Sequence, residues 1–142
     1  MSMSLETTLD FNNTVNTEER FEIRKFINEF VKTVNEKNLE SSEPFIADGF
    51  VAEGLSEFVM QKPQLLGTFY RKFFGRKNNY MWFPKLKLSS VNNLYRLDGT
   101  YEEYQQGILS TEGDVKIDLK KTEDDSYVLI GMKFFPRMRL IE

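Results

Sequence analysis

The segment Tyr101-Glu-Glu-Tyr104 carries side chains that are suited to acid–base chemistry. Glu102 and Tyr104 are two residues apart on a predicted strand, so their side chains lie on one face. A carboxylate that faces apolar walls has a raised pKa and can act as a general acid or base. The alternative is that both side chains are solvated at the rim of a bent strand. Glu53, at the end of a short extended segment, is a further catalytic candidate, and its alternative is an ordinary strand-end charge.

The composition excludes several kinds of chemistry and of partner. The 142 residues include no histidine and no cysteine, which removes thiol nucleophiles, Ser-His-Asp triads, imidazole bases and Cys/His zinc sites. We therefore predict no metal and no cofactor. The net charge of −3 leaves no positive excess to neutralise phosphates, so we expect no nucleic-acid partner. The chain lacks an apolar leader and any run of roughly 18 apolar residues, which predicts a cytoplasmic protein without membrane contact.

The apolar spacing predicts one domain in which helices come first. A polar segment at 1–15 is typical of a flexible leader, and residues 16–142 are expected to form a single domain. Apolar residues at helical spacing predict the best helix over 16–37. Asn16 is expected to cap this helix, with Glu19 completing a capping box.

Two further segments have helical character. Residues 38–48 are weakly helical and contain Pro44, which removes a backbone donor from the middle of the segment. A brief extended stretch is predicted at 50–53. Residues 62–74 then show a clear apolar stripe after Pro63 in the first turn, which predicts a second strong helix.

From Tyr80 onwards the period changes to two and predicts strands in hairpin succession. The first hairpin turn is expected at Asn92-Asn93. The next strand runs from Leu94 to Ile108, and we prefer a glycine bulge at Gly99 over a turn that would leave two stubs. Two more strands follow, on either side of an acidic turn. The order of elements predicts an α+β fold, with N-terminal helices packed on a curved antiparallel sheet that forms a cone.

The alternation also indicates which side chains line a pocket inside this cone. Trp82 shares its alternation with Leu86 and Leu88, and the strand beyond the acidic turn supplies a similar apolar face. The competing explanation for the apolar members is simple core packing. The predicted ligand-binding residues are Phe30, Trp82, Glu102, Tyr104, Met132 and Phe134.

Two stretches of the chain follow a known family pattern. Thr33-Val-Asn-Glu-Lys-Asn-Leu-Glu40 leads to Phe45-Ile-Ala-Asp-Gly-Phe-Val-Ala-Glu53, and Asp98-Gly-Thr-Tyr101 precedes two alternating strands. Through these motifs the chain resembles the nuclear transport factor 2-like superfamily over about residues 16–139. This superfamily includes ketosteroid isomerase and the polyketide-cyclase-like (SnoaL-like) proteins. The resemblance implies a cone-shaped, cystatin-like fold and leaves the activity open, because many functions share that fold.

The ketosteroid isomerase pattern itself is not matched residue by residue. Its tyrosine oxyanion donor falls on Phe30, which has no hydroxyl, and its aspartate base falls on Gly54. Its second donor falls near Asp118, which the alternation puts on the outer face of the sheet. The resemblance therefore argues against isomerase chemistry, and the histidine-dependent dehydratase relatives are excluded as well.

Three classes of function are compatible with the sequence. The first is a binding module whose cone holds a small apolar or aromatic molecule. The second is a lyase, isomerase or epoxide-hydrolase-like enzyme that uses Glu102, Glu53 or Asp48 with a tyrosine. The third is a non-enzymatic dimeric adaptor with a filled cone. We favour the first class, without catalysis and with homodimerisation through the exposed face of the sheet.

Overall fold

One long helix packs against a curved sheet whose strands provide most of the chain. The structure is a computed structural model that describes residues 7–11, 14–37, 39–55, 59–67, 78–92 and 94–139. Within these ranges the elements are β1 Thr8–Phe11, α1 Thr17–Asn35, α2 Leu39–Ser42, a 3₁₀ turn Glu43–Phe45, β2 Ile46–Glu53, β3 Met60–Gln61, α3 Lys62–Gln64, β4 Tyr80–Trp82, β5 Lys85–Val91, β6 Leu94–Gln105, β7 Ile108–Lys121 and β8 Tyr127–Arg139. The predicted α+β class is confirmed.

The helix α1 starts where its sequence predicts. The Asn16 side chain accepts a hydrogen bond from the backbone N–H of Glu19 at 2.8 Å, which caps the first turn. The Glu19 carboxylate accepts the Tyr95 hydroxyl and so ties this turn to β6. The helix buries one apolar stripe against the sheet, formed by Ile23, Ile27, Phe30, Val31 and Val34. Among the described helices, none combines the length and the apolar character that a bilayer crossing requires.

The other end of α1 is fastened to the short strand β4. The Asn35 amide donates to the Met81 carbonyl at 2.9 Å, and its oxygen accepts from the Met81 N–H at 3.0 Å. A neighbouring strand would make the same pair of bonds, so the side chain takes the place of a strand at this edge of β4. Lys37 donates to the Asn79 carbonyl just before the strand, and burial lowers the pKa of this lysine.

The sheet is mixed, which corrects the predicted antiparallel arrangement. Its order is β1-β5-β6-β7-β8-β2-β3, and β4 also pairs with β6. The strands β5 to β8 form the predicted antiparallel succession, with Val91 opposite Leu94 across the expected hairpin turn. However, β1 is parallel to β5 and β2 is parallel to β8. The strand β1 also lies in the segment predicted as a flexible leader, and that expectation fails for Thr8–Phe11, where the backbone pairs with the edge of β5.

Around Pro44 the structure has the predicted types of element, but their lengths differ from the prediction. The helix α2 ends before Pro44, which starts no further α-helical turn and lies in the 3₁₀ turn. The strand β2 then begins at Ile46, so the predicted helix is shorter and the predicted extended stretch is longer. The helix α3 is the start of the helix predicted at 62–74, and residues 68–74 of that prediction lie outside the described residues.

The strand β6 is continuous through Gly99, and the predicted bulge at this residue is wrong. Its register with β7 is unbroken from Leu94 to Glu103, and the shift comes between Glu103 and Tyr104. Gly99 is needed for another reason, because a Cβ atom there would lie 1.8 Å from the Lys85 carbonyl oxygen. At this point β6 exchanges β5 for β4 as its neighbour. The strand therefore changes its neighbour without interrupting the alternation of its side chains.

Replacing Gly99 with alanine is expected to lower the free energy of unfolding by about 1–3 kcal/mol, the usual cost of forcing extra atoms into a packed site. Gly49→Ala is the matched control, because a Cβ atom there meets nothing within 4 Å. Urea unfolding of both variants measures the difference. Equal losses of stability in the two variants would show that β5 does not approach β6 this closely.

Candidate functional site

The face of the sheet that meets α1, here called the inner face, is the wall of the predicted pocket. Along β6 the buried residues alternate with exposed or half-buried ones, and the opposite side of the sheet is called the outer face. The inner side chains of β6, β7 and β8 join the buried stripe of α1 in one apolar cluster. Any ligand held inside this fold must therefore contact the residues of the inner face.

Two of the predicted site residues, Glu102 and Tyr104, lie on the outer face. The buried positions of this part of β6 are Tyr101, which is 1% exposed, and Glu103, which is 9% exposed. Ile108, at an even-numbered position like Glu102 and Tyr104 in the predicted strand, is in β7, beyond the turn, and is 62% exposed. Because β6 has no bulge at Gly99, its side chains alternate in the same way before and after this residue. The predicted inward orientation of Glu102 and Tyr104 is therefore wrong.

Trp82 also lies on the outer face, for a related reason. The sequence treats the segment from Tyr80 as one strand, but Phe83 and Pro84 separate β4 from β5. Proline cannot donate to the ladder, and the break shifts the alternation between the two strands. Met81 and Phe83 are consequently the buried residues of this segment. The prediction that Trp82 shares a face with Leu86 and Leu88 is therefore wrong.

The three displaced residues nevertheless form one cluster, the outer cluster, together with Tyr80. Glu102 Oε1 accepts hydrogen bonds from Trp82 Nε1 at 2.7 Å and from the Tyr104 hydroxyl at 3.1 Å. The rings of Tyr80 and Tyr104 stack with their centroids 4.5 Å apart. Burial, together with the hydrogen bond and charge of Glu102, raises the pKa of Tyr104 to about 12. Its hydroxyl therefore remains a donor at neutral pH.

The remaining predicted ligand residues, Phe30, Met132 and Phe134, face the core from α1 and β8 and are all buried. The Phe134 ring meets the Tyr101 ring edge to face, with centroids 4.9 Å apart. Phe30 packs against Phe45 with a centroid separation of 5.8 Å. Their position agrees with an apolar wall, and their role in binding stays a prediction.

The inner face also carries a polar pair that the sequence analysis assigned to no site, Tyr101 and Glu103. Glu103 is opposite Met81 of β4 and Thr111 of β7, and its own carbonyl accepts the Ser110 hydroxyl at 3.0 Å. The signal was present in the sequence, because the alternation of Tyr95 and Leu97, continued past the glycine, leads to this pair.

The other acidic candidates make ion pairs on the surface. Glu53 lies 3.7 Å from Lys133 across the outer face, and Asp48 is fully exposed. Asp118 accepts two hydrogen bonds from Arg96, at 2.7 and 3.1 Å, which confirms its predicted place on the outer face. None of these three carboxylates points to the apolar core. The isomerase pattern therefore has no counterpart at these positions.

Comparisons with known proteins identify the fold. No protein-family model matches the chain, and no curated protein matches its sequence. A protein of unknown function with a cystatin-like fold from Nostoc punctiforme has a TM-score of 0.71 and 13% identity, over 86% of this chain and 93% of that one. Aln2 from a Streptomyces species has a TM-score of 0.75 and 10% identity, over 87% and 94% of the two chains. A ketosteroid isomerase-like protein from Erwinia carotovora has a TM-score of 0.66 and 12% identity, over 87% and 99%.

These similarities confirm the fold that the sequence predicts. The chain has a cystatin-like fold, as the resemblance noted in the sequence implies. Identities of 10 to 13% establish the fold alone. The function must be argued from the residues that this chain places on the fold.

The outer cluster makes a pH-dependent prediction. Replacing Glu102 with glutamine removes the charge, so the pKa of Tyr104 is expected to fall from about 12 towards the ordinary 10.0. Because the pKa of Tyr104 is higher in the folded protein, folding favours the protonated hydroxyl. This contribution to stability is complete below pH 10.0 and is lost as the pH rises towards 12. Tyrosinate absorbance, taken as the difference between chains with and without Tyr104→Phe, measures the shift. A Tyr104 that already titrates at its ordinary pKa would contradict the bond to Glu102.

Proposed function

We propose that this protein binds a small apolar or aromatic molecule on the inner face of its sheet, with Tyr101 and Glu103 as the polar contacts. One observation carries the proposal, namely that two polar side chains, two residues apart on β6, lie on the otherwise apolar inner face of the sheet. Small-molecule sites have this composition, with apolar walls that supply area and a few polar groups that fix orientation.

The chemistry of the pair defines the ligand further. The Tyr101 hydroxyl can donate to a carbonyl or hydroxyl oxygen, and the Glu103 carboxyl group can accept from a hydroxyl or amine. Side chains two residues apart on a strand are separated by roughly 6.5–7 Å, so one ligand can contact both if its polar atoms flank a ring. Phe134, which already packs on the Tyr101 ring, supplies an apolar wall beside them.

Binding without catalysis is the form of this proposal that the site residues support best. Glu102, the first candidate for a general base, accepts two hydrogen bonds on the outer face instead of facing the apolar interior. Phe30 contributes only an apolar surface, although the isomerase pattern needs a hydroxyl at this position. Recognition by shape and by two polar contacts requires none of the missing groups.

The strand β6 offers matched variants for testing the site. Thermal unfolding is measured against steroids, polyketide-like aromatics, fatty acids and small carboxylates. A ligand at about 100 times its Kd stabilises a protein by about 2.7 kcal/mol, which raises the melting temperature by several degrees. Tyr101→Phe and Glu103→Gln are expected to reduce this shift. The controls Tyr104→Phe and Glu102→Gln make the same chemical changes on the outer face and are expected to retain it.

The outcomes of this experiment separate the alternatives. A shift that disappears in the outer-face controls and persists in the inner-face variants would refute the inner site. If no compound of the panel stabilises the protein, the adaptor function with a filled interior replaces the proposal. Turnover of a bound compound that depends on Glu103 would instead replace binding by catalysis.

We further infer that the outer face forms a homodimer interface. Phe135 is 48% exposed on this face. Its register partner in β7, Asp114, is opposite Thr100 of β6. Thr100 is two residues before Glu102, so Phe135 lies close to the outer cluster. An exposed aromatic residue beside half-buried ones is typical of an interface core.

A charge placed in this patch tests the dimer. Phe135→Glu is expected to convert a dimer into a monomer, because an interface core does not accommodate an unpaired carboxylate. Phe21→Glu, at an exposed position of α1, is the control that retains the dimer. Sedimentation equilibrium measures both masses. A monomeric unmodified protein, or a Phe135→Glu variant that stays dimeric, would remove this face from consideration.

A further inference from the structure

A groove lies outside the apolar core, between α1, the 3₁₀ turn Glu43–Phe45 and the turn that joins β7 to β8. Its volume is about 480 Å³, and one side is open to solvent. Its floor consists of aromatic rings, and its rim carries charged side chains from α1 and from the turn. None of these lining residues belongs to the pair on β6 or to the outer cluster, so the groove is a separate surface.

The floor of the groove is anchored to the core. The Phe26 ring is 5.2 Å from that of Phe45 and 6.2 Å from that of Tyr127, and both contacts are tilted. Phe45 also packs on the buried Phe30. A floor with these contacts is preformed, which lowers the entropic cost of binding.

The rim of the groove is negatively charged. Three carboxylates line it, those of Glu22, Glu29 and Asp125, together with the ammonium group of Lys25. The ammonium group of Lys121 lies 3.9 Å from Asp125, so the carboxylates of Glu22 and Glu29 supply the negative excess. Glu22 Oε1 accepts the Tyr127 hydroxyl at 3.1 Å, which fixes this carboxylate at the edge of the floor. A carboxylate can accept several hydrogen bonds, so it retains capacity for a donor from a ligand.

The aromatic rings add to the attraction for cations. Burial, and after it the hydrogen bond and charge of Glu22, raises the pKa of Tyr127, as expected beside negative charge. The ammonium group of Lys121 already lies 5.9 Å from the Tyr127 ring centroid. A cation over an aromatic face gains about 0.5–1 kcal/mol at an exposed site.

We propose that this groove docks a short basic segment of another protein, in which lysine or arginine flanks an aliphatic or aromatic residue. The negative rim complements the basic side chains, and the aromatic floor accepts the apolar one. Phe21 at the rim is 72% exposed and offers a further apolar contact. The lining of α1 from Phe21 to Glu29 extends for about 12 Å, which matches about four extended residues.

The open shape favours a peptide over a small organic cation. Small-molecule sites enclose roughly 70–90% of the ligand surface, whereas this groove is largely open to solvent. An extended peptide needs only one face of its backbone and alternate side chains to be covered. The inference stands apart from ligand binding on the inner face, and either can fail without the other.

Fluorescence polarisation with two labelled peptides tests the proposal. The basic probe is GSRLFKSG, and the acidic probe GSELFESG has the same apolar centre. The basic peptide is expected to bind at least about tenfold more tightly at low salt. The gap should shrink as the salt concentration rises, because the Debye length falls from about 10 Å at 0.1 M to about 3 Å at 1 M.

Variants of exposed residues locate the binding surface without disturbing the fold. Phe21→Ser is expected to weaken the basic peptide about fivefold, and Glu29→Gln about two- to fivefold, as for an exposed ion pair. The controls are Phe135→Ser on the outer face and Glu40→Gln outside the groove, and both should leave the affinity unchanged.

Three results would overturn the proposal. The first is equal affinity for the basic and acidic peptides. The second is an equal loss of affinity in Phe21→Ser and in Phe135→Ser. The third is displacement of the basic peptide by benzyltrimethylammonium at a concentration near the peptide Kd, which would make the groove a site for small organic cations.

Discussion

The close approach of two backbones at Gly99 determines which residues the sheet turns inwards. The strand β6 pairs with β5 before this glycine and with β4 after it, and a Cβ atom would collide with the Lys85 carbonyl. Because the glycine allows the bend without an extra residue, the alternation of β6 survives the change of partner. Tyr101 and Glu103 therefore lie on the inner face, like Leu97 earlier in the same strand. The unbroken alternation of β6 thus places the polar pair in the apolar interior.

Tyrosine–carboxylate bonds then hold the elements around this interior. The hydroxyls of Tyr95 and Tyr127 donate to Glu19 and Glu22 in the first turns of α1, and the two rings meet edge to face 5.7 Å apart. Each buried ring gains a hydrogen-bond partner for its polar end, and α1 is fixed over the sheet at its N-terminal end. The same bonds orient the carboxylate at the rim of the groove. The same helix–sheet contact therefore fixes α1 over the inner face and orients one carboxylate of the groove.

Local signals in the sequence were sufficient for much of this architecture. The capped start of α1 and the turn after Val91 depend on a few neighbouring residues, and the structure has both. The parallel pairing of β1 could not be predicted, because a four-residue strand acquires its structure from a distant edge. The predicted orientation of Trp82 was wrong for a different reason. A break at Pro84 and a bend at Gly99 both look like irregularities in sequence, but only the first shifts the alternation, and long-range contacts decide which does.

The consecutive residues Phe134 and Phe135 show how this fold can support separate recognition surfaces. On β8 they point to opposite faces, so Phe134 packs on Tyr101 within the core while Phe135 remains exposed. A partner that covers the outer face would restrict β8 without contacting the inner face. The aromatic floor of the groove involves other rings, carried by α1, the 3₁₀ turn and the start of β8. Since these surfaces share a scaffold but no side chain, a substitution on one can change its binding while leaving the chemistry of the others intact.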